Sequence, residues 1–266
     1  MGFQTTSLFG YRVSCGGIRH DVARALDFVK RRTGPAYMAC ANPHSLVMAV
    51  KDPLFREALL NAGILVPDGA GIVLAAKILN KPIHERVAGF EFFRTLSDHA
   101  TKNGGARYFF LGSSSNVLDL IAARLQREYP GITVCGTYSP PFADDFSAAE
   151  NERMVAAINE AAPDVLWVGM TAPKQEKWIY RNRDKLAVPF IAAVGAVFDF
   201  YAGTKKRSSR FWQRLGLEWL PRFLNEPKRL WERNLKSTPI FLGWIVKEKV
   251  RQLTKCAIRT RGRSAV

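Results

Sequence analysis

The sequence predicts an α/β protein: a mostly parallel sheet interleaved with helices over residues 1–203, then a helical, basic appendage over residues 204–266. Three observations carry this. Short, near-continuously apolar runs recur along the first part of the chain, as strands buried on both faces require. Stretches with helical apolar spacing separate them, and strand–helix alternation argues for an open, mostly parallel sheet. The composition then shifts abruptly after Gly203, at Lys205-Lys206-Arg207.

The expected strands are residues 37–41, 64–66, 107–111, 132–136, 165–169 and 190–194. The expected helices are 20–32, with Val22, Leu26 and Val29 on one face, then 71–79, 90–102, 116–129 and 148–161. In the tail, Phe211, Leu215, Trp219 and Phe223 recur every fourth residue, with Arg210, Arg214 and Arg222 beside them. Residues 240–253 repeat the pattern, with Phe241, Trp244, Ile245 and Leu253 on the expected apolar side. Both segments read as amphipathic basic helices.

The chain has 266 residues, 47% of them apolar, and a formal charge of +16. That suits one core plus an appendage better than two full domains. Residues 204–266 hold 17 Lys and Arg against 4 Glu, a net of +13, while the first 203 residues carry a net of only +3. Trp212, Trp219, Trp231 and Trp244 also lie in the tail. Cys15, Cys40, Cys135 and Cys256 show no CxxC spacing, which argues against a zinc site or a disulfide framework and for a reducing cytoplasm. The N-terminus lacks the apolar core of a signal peptide. The longest uncharged run of the tail, 237–246, is too short for a membrane-crossing helix of ~20 residues.

In an open parallel sheet the ligand sits beyond the carboxyl ends of the strands. Residues just after each strand are therefore the candidates. Asn42, in Asn42-Pro43-His44, either offers its amide to a sugar or base or opens a helix as an Asn-Pro turn. Asp68, in Pro67-Asp68-Gly69, either serves as a general base at the strand tip or caps the next helix. Arg86 is either a surface ion-pair residue or a fork for phosphate or carboxylate. The turn Gly112-Ser113-Ser114-Ser115 suits a phosphate or nucleotide at a helix start, but it is neither GxGxxG nor a P-loop, so NAD and ATP are not specifically indicated. Pro173-Lys174-Gln175-Glu176 opens a helix. Asp199, between two Phe, is either a structural acceptor or a site residue.

Taken in order, these motifs join Glu85-Arg86-Val87-Ala88-Gly89, Gly195-Ala196-Val197-Phe198-Asp199-Phe200-Tyr201-Ala202-Gly203, Leu217-Glu218-Trp219-Leu220-Pro221-Arg222 and Glu226-Pro227-Lys228-Arg229. The ordered set resembles the WecG/TagA/CpsF glycosyltransferase family, also called glycosyltransferase family 26, from about residue 8 to about residue 235. The resemblance implies a Rossmann-like α/β domain whose C-terminal appendage completes the active site. It implies inverting transfer of a hexose or N-acetylhexosamine-type sugar from a UDP-sugar to an undecaprenyl-diphosphate-linked saccharide. The setting it implies is the cytoplasmic face of the bacterial inner membrane, in surface or exopolysaccharide synthesis. Asp68 matches the proposed base. Asn42, Arg86 and Gln175 match pocket residues, and Arg222 and Arg229 match appendage arginines that hold a diphosphate. Two positions depart from the family pattern: Cys40 stands where Thr is common, and Pro221 where Tyr often precedes the Arg.

Inverting transfer needs a base on the attacking hydroxyl and positive charge on the leaving diphosphate. The carboxylates, Asp144-Asp145 included, form no convincing Asp-x-Asp, so arginine forks in place of a metal are expected. The basic aromatic tail fits an anionic membrane surface, each Lys or Arg there being worth about 1 kcal/mol. Its apolar periodicity argues against the rival reading of a nucleic-acid-binding tail, because base-stacking aromatics need not share one helical stripe. An oligomer-forming helix pair is a further reading of the tail. A Rossmann oxidoreductase is disfavoured by the missing glycine fingerprint.

Overall fold

The computed structural model of the chain describes residues 3–206, Trp212 and residues 236–263, with side chains to Thr254 in the last helix. The six expected strands all form, with ends within two residues of those expected: β3 (Ala36–Ala41), β4 (Ile64–Pro67), β5 (Ala106–Gly112), β6 (Ile132–Tyr138), β7 (Val165–Gly169) and β8 (Phe190–Ala193). They make one sheet in the order β4-β3-β8-β7-β5-β6, and every pairing is parallel. This is the Rossmann-like α/β architecture. The chain winds outward to one side through β3 and β4 and to the other through β5 and β6. A crevice at the carboxyl ends follows from that reversal.

The strands alternate sides with period two. On β7, Val165 and Trp167 join one core while Leu166 and Val168 join the other, and on β8 Phe190 and Ala192 oppose Ile191 and Ala193 in the same way. The first core packs under α1 (Gly17–Arg31), α5 (Gly89–Lys102), α6 (Ser115–Glu128) and α9 (Val197–Ala202). The second packs under α7 (Ala148–Ala161) and α8 (Lys174–Asn182). A third cluster gathers α2 (Pro43–Lys51), α3 (Pro53–Leu60) and α4 (Ala70–Ile78) around the β4 edge.

Four features differ from the sequence expectation or fall where it left alternatives open. An antiparallel hairpin, β1 (Thr5–Leu8) and β2 (Tyr11–Ser14), precedes the sheet. Its two-residue turn places both Phe9 and Gly10 at positive φ, at 51° and 86°, as a tight hairpin turn requires. Helix α3 was not foreseen; Asp52 caps it by accepting from the Phe55 N–H at 3.0 Å, and Pro53 opens it. Asp199 lies within α9 and pairs with Lys205 at 3.1 Å, which gives it a local structural role.

The fourth concerns the last helix, α10 (Ser237–Arg263). Its stripe of Phe241 and Ile245 is buried and Trp244 is half-buried, but against the protein. Phe9 meets Phe241 edge-on with ring centres 5.3 Å apart, and Lys249 and Gln252 donate to the carbonyls of Ile78 and Leu79 at the end of α4. Leu253 is 60% exposed and stands with Leu242, Val246 and Val250 on the outward side. The helical angle explains the slip, since Leu253 lies eight residues beyond Ile245 and about 80° around the axis. Among the described residues no helix is long and apolar enough to cross a membrane.

Candidate active site

The site is built on a register. Ala41 of β3 lies opposite Pro67 of β4, so Asn42 and Asp68 leave the sheet side by side. The Asp68 N–H donates to the Ala41 carbonyl at 2.8 Å, and Val87 N–H donates to the Pro67 carbonyl at 2.9 Å. These bonds seat the Asp68 turn beside β3 and bring the Arg86 segment alongside. Both side chains are half-buried.

The structure separates the alternatives left open at two positions. Asn42 is the N-cap of α2: its Oδ1 accepts from the Ser45 N–H at 2.9 Å, and Ser45 Oγ accepts from the Asn42 N–H at 2.8 Å. This reciprocal box fixes the Asn42 side chain. Its amide nitrogen takes no part in the box, so capping leaves it able to donate. Asp68, by contrast, does not cap α4. The cap is Gly69, at φ 96°. A positive φ at that point suits glycine and lets the chain turn away directly behind the carboxylate.

Gln175 lies in the first turn of α8, which follows β7, three strands along the sheet from β4. Its carboxamide lies against Gly195, at the end of β8 between the two, where a Cβ would sit 3.5 Å from Oε1. Gln175 Nε2 donates to Glu176 Oε1 at 2.9 Å. Glu176 is only 2% exposed, and this burial pushes its carboxyl up to about 7, opposed by the Gln175 amide. The sequence reading passed over Glu176. A signal existed: Trp178 and Ile179 face the core, and Gln175 and Glu176 lie one turn before them on the same side.

The neighbouring positions have other roles. Lys174 donates to the Ala143 carbonyl and lies 3.8 Å over the Phe146 ring, away from the crevice. Ser114 caps α6, and Gly112 meets Gly169 across β5 and β7. His44, beside Asn42, bonds Ser237 Oγ through Nδ1 at 2.8 Å, which ties the start of α10 to the start of α2. Cys40 Sγ lies 4.0 Å from the Ala193 carbonyl, at the floor between β3 and β8. Arg222 and Arg229 lie outside the described residues. A separate cavity of about 550 Å³ between α7 and α8, lined by Asp145, Trp178 and Arg181 among others, contains none of the expected site residues.

The arrangement therefore brings Asp68, Asn42, Arg86 and Gln175 to one edge of one sheet. Residues 6–255 match the family model described as the Glycosyl transferase WecG/TagA/CpsF family. The chain belongs to that family. It is a glycosyltransferase. A protein of Bacillus spizizenii named N-acetylglucosaminyldiphosphoundecaprenol N-acetyl-beta-D-mannosaminyltransferase is 33% identical over 215 residues, 80% of each chain. A protein of Staphylococcus aureus with the same name is 31% identical over 222 residues, 84% of each chain.

Proposed function

We propose that this glycosyltransferase moves a sugar of the N-acetylhexosamine type, N-acetylmannosamine first among the candidates, from a UDP-sugar to an undecaprenyl-diphosphate-linked acceptor. The name shared by its relatives supports the acceptor and the sugar. The observation that carries the chemistry is Asp68, held at a strand tip by its own backbone, one residue before the cap of α4.

In this reading the Asp68 carboxylate takes the proton of the acceptor hydroxyl. The hydroxyl oxygen bonds the anomeric carbon from the face opposite the nucleotide. The bond from that carbon to the diphosphate oxygen breaks, and UDP leaves with the electron pair, so the configuration inverts. Asn42 and Gln175 orient the sugar. Arg86, with Arg222 and Arg229 from the appendage, neutralises diphosphate charge in place of a metal, since a guanidinium fork matches two phosphate oxygens at once.

The outward side of α10 supports engagement with an anionic membrane at the cytoplasmic face. Leu242, Val246 and Val250 are exposed there, as is Lys247. Apolar residues flanked by Lys on a surface helix favour the lipid interface. The test is incubation of the full chain with a panel of UDP-sugars and a GlcNAc-diphospholipid acceptor, read by mass of the product. One disaccharide-lipid from UDP-N-acetylmannosamine is expected, in EDTA as well as in its absence. Transfer to no lipid-linked acceptor from any UDP-sugar contradicts the proposal.

A further inference from the structure

Two buried oxygens on adjacent side chains in the first turn of α8 have no partners among the described residues. They are Gln175 Oε1 and Glu176 Oε2. Gln175 is 4% exposed and Glu176 2%. Buried polar atoms of this kind call for an explanation, and a ligand that supplies the missing donor is one.

The bond between the two side chains decides which end of the Gln175 carboxamide is presented. An ionised carboxylate only accepts, so it must take the Nε2–H, as seen at 2.9 Å. The carbonyl Oε1 is then the end left over; both ends of the carboxamide lie beside Gly195 at the carboxyl end of β8, 3.5 and 3.6 Å from where a Cβ would sit. A protonated carboxyl can donate instead. Its O–H then suits Oε1, and the amide turns over to leave Nε2 outward. One proton thus converts Gln175 from an acceptor to a donor toward anything bound in the crevice.

We propose that Glu176 is a positioning residue for Gln175: as a carboxylate it holds Nε2 inward, so that Oε1 accepts a hydrogen bond from an O–H or N–H of the nucleotide-sugar. The proposal rests on the reading of this crevice as the nucleotide-sugar pocket. The groups around Glu176 leave the switch to Glu176 itself. From β3, Tyr37 is buried, its hydroxyl donates to the Ala58 carbonyl, and it interacts with Arg183 and Tyr180 as well as with Glu176. Between α3 and α8, Asp52 and Lys177 satisfy each other at 3.0 Å. Asp68 and Arg86 stand across the crevice at the β4 end. The raised carboxyl of Glu176 puts the change near neutrality, where it is easily measured.

The experiment is steady-state transfer by the full chain from pH 5.5 to 8.5, varying the nucleotide-sugar. For the native chain, KM should rise as pH falls through about 7, with kcat changing less. Glu176→Gln should raise KM about 5- to 10-fold at pH 8, because a neutral acceptor holds the amide less firmly than a charged one. In that variant KM should be flat with pH, because the position no longer titrates. A Glu176→Gln enzyme that keeps the acid rise, or a native KM that is flat throughout, overturns the proposal. If Glu176→Gln does not fold, Gln175→Met carries the same test: with no carboxamide to turn, the acid rise must vanish, and its persistence overturns the idea. Asp68→Asn separates the two levels of failure. If it abolishes turnover while Glu176→Gln keeps the acid rise, positioning alone is lost. If Asp68→Asn and Gln175→Met both run at the native rate, the pocket reading falls and the positioning with it.

Discussion

Phe241→Ala should release α10 from the body of the protein. Phe241 is 1% exposed, meets the Phe9 ring at 5.3 Å and the Trp244 ring at 6.2 Å, and belongs to the cluster that holds α2 and α4. Truncating a buried Phe to Ala costs about 3–5 kcal/mol. That loss falls mainly on the docking of one helix near the end of the chain, so it acts on local opening before it acts on global unfolding. A loss of about 3 kcal/mol raises the population of the open state by about 100-fold. Hydrogen exchange read by mass spectrometry measures this directly. Amides of 241–252 should exchange about 100-fold faster in the variant, while those of β7 and β8 keep their protection. The His44–Ser237 bond links the same helix to the Asn42 cap, so KM for the nucleotide-sugar should rise as well. Exchange of 241–252 within a factor of about three of the native chain refutes the claim that the apolar stripe is spent on the protein.

Other expectations follow from single observations. Arg86→Lys should lower kcat/KM about 10- to 100-fold, because a point charge replaces a fork on the diphosphate. Gly112→Ala should shift the urea midpoint by more than an ordinary surface change: its φ is 112°, and the new Cβ would lie 2.6 Å from the Gly169 carbonyl oxygen, which belongs to the adjacent strand. Stability should fall as pH rises from about 4 to 8. Burial pushes the Asp21 carboxyl up to about 6, against hydrogen bonds from Ser14 and His20, and that of Glu176 up to about 7. Each folded carboxyl holds its proton more tightly than the unfolded one, so the contribution is full below the ordinary carboxylate range and is lost as pH passes the raised values. For Asp21 this amounts to about 3 kcal/mol at most. Asp21→Asn should flatten the fall in thermal midpoint between pH 5 and pH 8, and an unchanged slope contradicts the assignment.

The sheet was legible because its strands are buried on both faces and read as apolar runs, such as Val165–Gly169. The pairing of Asn42 with Asp68 followed from the rule that ligands lie beyond strand ends, although only the register of Ala41 with Pro67 shows that the two residues are neighbours. The hairpin was missed because its strands are four residues long and β1 is largely polar, so Gly10 was the only strong signal. Helix α3 was hidden because α2 ends and α3 begins at the same residue, Asp52. The direction of the α10 stripe depended on what faced it, and no periodicity tells a helix whether its apolar side meets lipid or protein. Glu176 escaped for a related reason. A charged residue in the first turn of a helix usually faces water, and here tertiary packing buries it.

The central claim is that Asp68 is the base of an inverting transfer at the end of β4. It is tested most directly by Asp68→Asn, measured for transfer to the lipid-diphosphate acceptor and, separately, for UDP binding by calorimetry. A fall in kcat of about 10²–10⁴-fold with UDP affinity retained is expected, because the amide keeps the shape and loses only the basicity. Near-native turnover in that variant contradicts it.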